Sequence, residues 1–368
     1  MSEPKSATVA IDLPSVQQAW RAHDRGTPRN AIKLDTIPVP EPGVGQALIK
    51  VEAAALNPVG YKILALIPSF MRKRPHVVEF DFSGTVVDPN GTSFQVGDKV
   101  WGTCELMKGD GAISQYVVAT EENAALVPAH LSTEQAAGLG IVWLTAQQAL
   151  FEYAGVQPGQ SVMVLGGSSS LGGTVIQMLK QIDCKVYASC SGKNVEFVRS
   201  LGADVVYDYT TSPIHQQVAE NPPSPKFHAI IDCVGGYDFF AHSEAYLAPK
   251  GLYVAPGTAI SGWHNALGDV WAAIYALRPT WLGGTNRTFK SLICGLGKQR
   301  FAAVVDIVNK GWDLWIFGSS TAASSLPVRG LGSLVPVIDS VFEFTDLYSA
   351  YDKLLTGRAK GKIVVRVP

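Results

Sequence analysis

The sequence predicts an α/β chain built as a β-barrel-like unit followed by a doubly wound parallel sheet. Three observations carry this reading. Residues 31–102 show short β-type runs divided by Pro and Gly, residues 161–255 alternate wholly apolar runs with helical periodicity, and a turn of Gly and Ser joins the first of those runs to the first helix. At 368 residues the chain exceeds the size at which single cores stop growing, which favours two domains.

Composition excludes several classes. Charged residues make up only 17% against 47% hydrophobic, too little charge for extended disorder. Thirty Lys and Arg against 31 Asp and Glu leave a net charge of −1, so no basic field for nucleic acid is expected. Cys104, Cys184, Cys190, Cys233 and Cys294 are odd in number, scattered and never in a Cys-x-x-Cys pair. That pattern argues against a disulfide framework or a cysteine-rich zinc lobe and fits a reducing compartment, read as the cytoplasm. His23, His76, His130, His215, His228, His242 and His264 are spread along the chain and are read as surface or loop residues rather than metal ligands. The N-terminus lacks the basic-then-apolar pattern of a secretory signal, and the most apolar long window, 270–282, is broken by Arg278-Pro279, so no transmembrane segment is expected.

In chain order, β-type runs are read at 37–43, 47–53, 82–87 and 96–101. Ser132 with Gln135 three residues on has capping-box form and opens a helical stretch reaching about residue 154. Strands follow at 161–165, 185–189, 205–207, 229–232 and 251–255, with helices at 172–182 and 195–201. Runs apolar throughout and alternating with helices imply a parallel sheet covered on both faces. A helix at 301–308 leads to a last segment of strand (335–339), helix (346–355) and strand (362–367), expected to return to the first domain. The domain reading is therefore 1–152 for the first part of the barrel domain, 153–311 for the sheet domain, 312–334 for an insertion and 335–368 for the return.

Gly166-Gly167-Ser168-Ser169-Ser170-Leu171-Gly172 lies between a strand and a helix, where small residues let the backbone approach a pyrophosphate and the helix N-terminus stabilises its charge. Ser169 stands where a central Gly is usual. At the end of the second strand an Asp or Glu would hydrogen-bond the ribose 2′-hydroxyl of NAD. The chain instead reads Ser189-Cys190-Ser191-Gly192-Lys193-Asn194, whose hydroxyls, amide and cation suit a 2′-phosphate. NADPH is the predicted cofactor, with Ser191, Lys193, Asn194 and Tyr209 about that phosphate.

Further motifs run the length of the chain: Glu52-Ala53-Ala54-Ala55-Leu56-Asn57-Pro58, Asp81-Phe82-Ser83-Gly84, Val96-Gly97-Asp98-Lys99-Val100, the Gly166 turn, and Gly357-Arg358-Ala359-Lys360-Gly361-Lys362-Ile363-Val364. Together they resemble the medium-chain dehydrogenase/reductase superfamily, specifically its zinc-independent quinone oxidoreductase and enoyl reductase branch. Within the nucleotide region the chain looks most like fungal stand-alone enoyl reductases that act beside polyketide synthases.

The resemblance implies a GroES-like catalytic domain and a Rossmann domain. It also implies pyrophosphate contacts from the backbone of Ser168 to Leu171, a loop of Cys233 and Val234 beside the riboses, and Gly257 and Lys362 completing the nucleotide set. Asn57, Tyr61, Lys62 and Thr145 are expected to face the substrate cleft, with Lys62 the candidate electrophile or proton donor. Where zinc-dependent relatives place a Cys and a Gly-His-Glu, this chain has Asn57-Pro58-Val59 and Glu79-Phe80-Asp81, so no catalytic metal is expected. Without a Lewis acid, hydride delivery to an activated C=C bond of an enone or enal, or to a quinone, is the leading expectation. The alternatives are a trans-acting enoyl reductase working on a thioester held by a polyketide synthase, and a non-catalytic nucleotide-binding scaffold. A small apolar substrate and a monomer or homodimer complete the reading.

Overall fold

Asp81, in the middle of the first domain, and Gly166, at the end of the first parallel strand, fix the two places that matter here, and the fold is best followed from the strands that carry them. The structure is a computed structural model describing residues 13–68, 71–105, 108, 110–235, 237–256, 270–271, 274–275, 277–310 and 334–368. Gly257, most of the aromatic stretch at 263–281 and the expected insertion short of Leu334 lie outside the described residues.

β1 (Val16–Ala22) pairs antiparallel with β2 (Ile32–Pro38) across the helical turn α1 (Pro28–Ala31), and β4 (His76–Val77) joins the other side of β1. The main sheet of the barrel unit is built on β3 (Ala47–Leu56), a ten-residue strand with nearly continuous burial. Beside it lie β5 (Asp81–Asp88), β6 (Lys99–Thr103), β7 (Tyr116–Ala119) and β8 (Ala124–Leu126). β15 (Ile338–Glu343) and β16 (Lys362–Arg366), linked by α10 (Leu347–Leu355), complete the sheet, and β16 runs antiparallel to β3 with Ile363 opposite Leu56. The tail of the chain thus returns to the first unit. β15 starts three residues later than expected because Pro336 has no N–H to give a ladder.

The second sheet is six parallel strands in the order β11 (Val205–Asp208), β10 (Lys185–Cys190), β9 (Ser161–Leu165), β12 (Phe227–Asp232), β13 (Leu247–Pro256), β14 (Thr288–Leu292). α5 (Ser170–Gln181), α6 (Val195–Ser200), α7 (Ile214–Glu220) and α8 (Asp238–Ala241) supply connections. β10 and β12 flank β9, so the winding reverses there, and a crevice opens beyond the strand ends at that reversal. Among the described residues no helix is long and apolar enough to cross a membrane.

Between the sheets lie α3 (Thr133–Ala137), α4 (Gly140–Gln147), a π-helical turn over Gln148–Tyr153 and α9 (Lys298–Lys310), while α2 (Pro58–Leu66) follows β3 directly. Both bonds of the Ser132–Gln135 capping box form. One apolar core spans the junction, with Trp101 of the barrel packed on Phe301 of α9 at a ring distance of 4.8 Å. Gln148 locks the joint by donating to Gly295 O and accepting from Gly295 N, both at 3.0 Å. Because Phe301 is fully buried at this joint, Phe301→Ala should destabilise the protein by about 3–5 kcal/mol in urea unfolding; a loss under 1 kcal/mol would mean that the two units stand independently.

Candidate functional site

Asp81 heads β5 with no exposed surface, and four donors saturate its carboxylate. Oδ2 accepts from Asn57 Nδ2 at 2.9 Å and from Lys362 Nζ at 3.0 Å. Oδ1 accepts from the Ile141 amide at 2.9 Å and from Thr103 Oγ1 at 3.0 Å. Gly140 lets the chain come this close, since a Cβ there would stand 2.1 Å from the carboxylate. One anion thereby ties the entry of α2, the start of α4 and the last strand together.

This differs from the expected roles of two residues. Lys362 is only 3% exposed, and its ammonium also donates to Asn57 Oδ1 at 2.8 Å, so it serves the interior of the barrel unit rather than the nucleotide side. Asn57, 2% exposed, gives its side chain to Asp81 and Lys362 instead of to the cleft. A buried ammonium needs a counter-ion, and the partner lies hundreds of residues away in sequence, where no local motif reveals it.

Glu79, buried beside Asp81 and at φ 60°, accepts from the Asn57 amide at 3.0 Å and from the Tyr351 hydroxyl at 2.8 Å. Burial pushes its pKa up to about 7, with the two hydrogen bonds and nearby Lys362 opposing that rise. On α2, Tyr61 is half-buried against the barrel core and burial raises its phenol pKa, while Lys62 is half-buried. Thr145 is buried on α4.

The glycine turn explains its own departure from pattern. Gly166 has φ +78°, and a Cβ there would meet Val234 Cγ2 at 2.5 Å; one at Gly172 would meet Gly166 O at 2.2 Å. Ser169 sits at φ −74°, ψ 161°, extended backbone that needs no Gly, and its hydroxyl donates to Gly166 O and accepts from Gly172 N, capping α5. Gly167 packs closely on Ile176, Ala188 and Val198. The Ser170 and Leu171 amides are those a helix start leaves unpaired, aimed where an anion is stabilised. Across the crevice, Asp232 Oδ1 accepts from the Val234 and Gly235 amides and shapes that loop, and burial holds the Cys233 thiol well above its ordinary pKa, which argues against a nucleophile.

A cavity of about 430 Å³ collects five of the expected nucleotide residues, Ser168, Ser191, Lys193, Asn194 and Tyr209, with Gly192 and Thr210. Gly357, Arg358 and Ala359, from the turn between α10 and β16, also line it. Asn194 donates to Ser168 Oγ at 3.1 Å, and its buried Oδ1 has no partner among the described residues. Asp208 lies beside Gly192 with its carboxylate held below the ordinary range by Thr210. Sequence reasoning missed Arg358. The signal was the run of three cations at 358–362, of which only Lys362 was assigned to the nucleotide; the structure puts Arg358 in the cavity and Lys362 on Asp81.

Residues 43–129 match the family model described as the alcohol dehydrogenase GroES-like domain, and residues 170–310 the one described as zinc-binding dehydrogenase. The trans-enoyl reductase pgmF of Aspergillus terreus is 30% identical over 377 residues, covering 98% of both chains. The chloroplast envelope quinone oxidoreductase homolog of Arabidopsis thaliana is 28% identical over 340 residues, covering 89% of this chain and 92% of its own. Among solved structures, the quinone oxidoreductase from Coxiella burnetii superposes with a TM-score of 0.75 at 25% identity, covering 96% of this chain and 100% of that one.

Asp81→Asn leaves the Lys362 ammonium buried without a counter-ion, so unfolding free energy should fall by about 3–5 kcal/mol, and the Asp81→Asn, Lys362→Met pair should lose less than the sum of the single changes. Glu79 gives a pH signature. Its folded pKa of about 7 exceeds the ordinary unfolded value, so between about pH 4.5 and 7 the folded state holds a proton that the unfolded state has released, and stability declines as pH rises through that window. The difference in stability between wild type and Glu79→Gln should follow that decline whatever constant offset the amide adds. A difference independent of pH from 4.5 to 8 would refute the raised pKa.

Proposed function

Because the chain belongs to the medium-chain dehydrogenase/reductase superfamily, with a GroES-like domain and a Rossmann domain, we propose that it is an NADPH-dependent reductase of an activated C=C bond in an enone, an enal or a quinone. The observation that carries the cofactor part is the cavity lined by both Lys193 and Arg358. A 2′-phosphate fits their charges, while the Ser170 and Leu171 amides suit a pyrophosphate. When bound, the reduced dinucleotide would supply the hydride that such acceptors take up.

The chain's own side chains position and protonate. Lys62, on α2, is the proposed group that steadies the acceptor's carbonyl oxygen or gives it a proton as negative charge develops there. Tyr61, kept protonated by burial, is the second donor. Thr145 lines the opposite helix, and Asn57 acts as a positioning residue that registers α2 through Asp81. A zinc-free reaction is favoured by the donor set: Asn57 and Phe80 offer no metal-binding nitrogen or sulfur where zinc-dependent relatives have Cys and His, and Asp81 is already saturated. The five free cysteines support a reducing compartment such as the cytoplasm.

A second reading, a trans-acting enoyl reductase on a thioester carried by a synthase, is favoured by the likeness to pgmF along 98% of both chains. The test is to titrate NADPH and NADH separately into the purified protein, then follow cofactor oxidation over quinones, enones and a crotonyl thioester. NADPH should bind more tightly. Each of Lys193→Ala and Arg358→Ala should weaken NADPH binding by about 10- to 100-fold and leave NADH unchanged, as expected for lost charge-assisted hydrogen bonds. Preference for the thioester would select the second reading, preference for NADH would sink the cofactor assignment, and binding without turnover on any acceptor would leave a non-catalytic scaffold.

A further inference from the structure

His215 lies in the first turn of α7 and His242 directly follows α8, and the packing of these two connections brings them together. Their rings stack with centroids 4.2 Å apart and planes 9° apart. Asp238, which opens α8, faces both, with Oδ2 2.8 Å from His215 Nδ1 and Oδ1 3.8 Å from His242 Nδ1. Read along the sequence the histidines are scattered; the structure corrects this for His215 and His242, because two crossovers of the parallel sheet place distant residues on one rim.

Two imidazoles and one carboxylate are a donor set suited to a divalent transition metal. The three ligand atoms lie within 4.8 Å of one another. Tetrahedral bonds of zinc length place donors roughly 3.4 Å apart, and an ion lies in the plane of each imidazole it binds, so closure needs side-chain rotations that draw the donors together and swing a ring out of the stack. Asp238 and His242 are exposed and free to make them, and His215 is half-buried and serves as the anchor.

The scaffold beneath is packed into an apolar cluster. Phe239 and Phe240 are buried under α8, and Val218 is buried under α7. Asp238 and His242 are four residues apart and share one helical face, and His242 Nδ1 donates to Asp238 O at 2.9 Å, which steadies the ring. We propose that His215, Asp238 and His242 bind one divalent transition-metal ion of the zinc class and clamp α7 to α8. This site shares no residue with the proposed hydride-transfer machinery. α8 follows the Cys233–Val234 loop, so the clamp would stiffen the chain leading away from the nucleotide crevice.

The test is to titrate Co²⁺ and then Zn²⁺ into the full chain, following cobalt absorbance and heat. Expected are one equivalent of Co²⁺ with a ligand-field band, its displacement by Zn²⁺, and binding at least ten-fold weaker in His242→Ala and in Asp238→Asn. Circular dichroism checks that each variant folds, and either one alone suffices if the other does not. Binding only at millimolar metal, a stoichiometry other than one, or affinity unchanged in the variants overturns the site. No outcome depends on catalytic turnover, so failure here leaves the reductase reading untouched.

Discussion

The Asp81 carboxylate is the constraint on which the rest of the site depends. An anion with no exposed surface must be neutralised and fully hydrogen-bonded, and the chain meets both needs from four separate places: the end of β3, β6, the start of α4 and β16. Apolar burial drives these elements together without saying how they align. The carboxylate says how, because a slip of β16 by one residue would carry Lys362 to the other face of the sheet and replace the ammonium with an apolar side chain or none. The two helices that bear Tyr61, Lys62 and Thr145 are therefore registered against a single point rather than against each other.

The same tail segment reaches the nucleotide side. Arg358 lines the cavity and Lys362 ends on Asp81, with Lys360 between them near the Phe197 ring of α6. The turn that offers a cation to the proposed cofactor is thus held in place by the ion pair that registers α2 and α4. Disturbing β16 should reach both at once, a coupling carried by covalent continuity and one buried contact.

What could be read in advance follows how far each interaction reaches along the chain. β9, β10 and β12 announce themselves because strands buried on both faces are apolar throughout, and Ser132 and Gln135 announce a helix start because both bonds of a capping box lie within one turn. β1 was missed because Gln17, Gln18 and Arg21 break its apolar pattern, although Trp20 anchors it by donating to Phe344 O at 2.8 Å. The substitution at Ser169 looked like decay of a glycine motif, and only the backbone angles show that Gly166 and Gly172 bear the steric demand. The partners of Lys362, the place of Arg358 and the meeting of His215 with His242 are long-range products of topology, for which no local pattern exists.

Asp208, beside Gly192, could imitate the acid that marks NAD binding, and its commitments bear on how it acts. It comes from the third strand of the nucleotide-binding unit rather than the second. Its Oδ1 accepts from the Thr210 amide and hydroxyl. Those bonds fix Thr210, which lines the cavity. Two cations, Lys193 and Arg358, line the cavity and Asp208 does not, a balance that supports the proposed preference for a phosphorylated ribose.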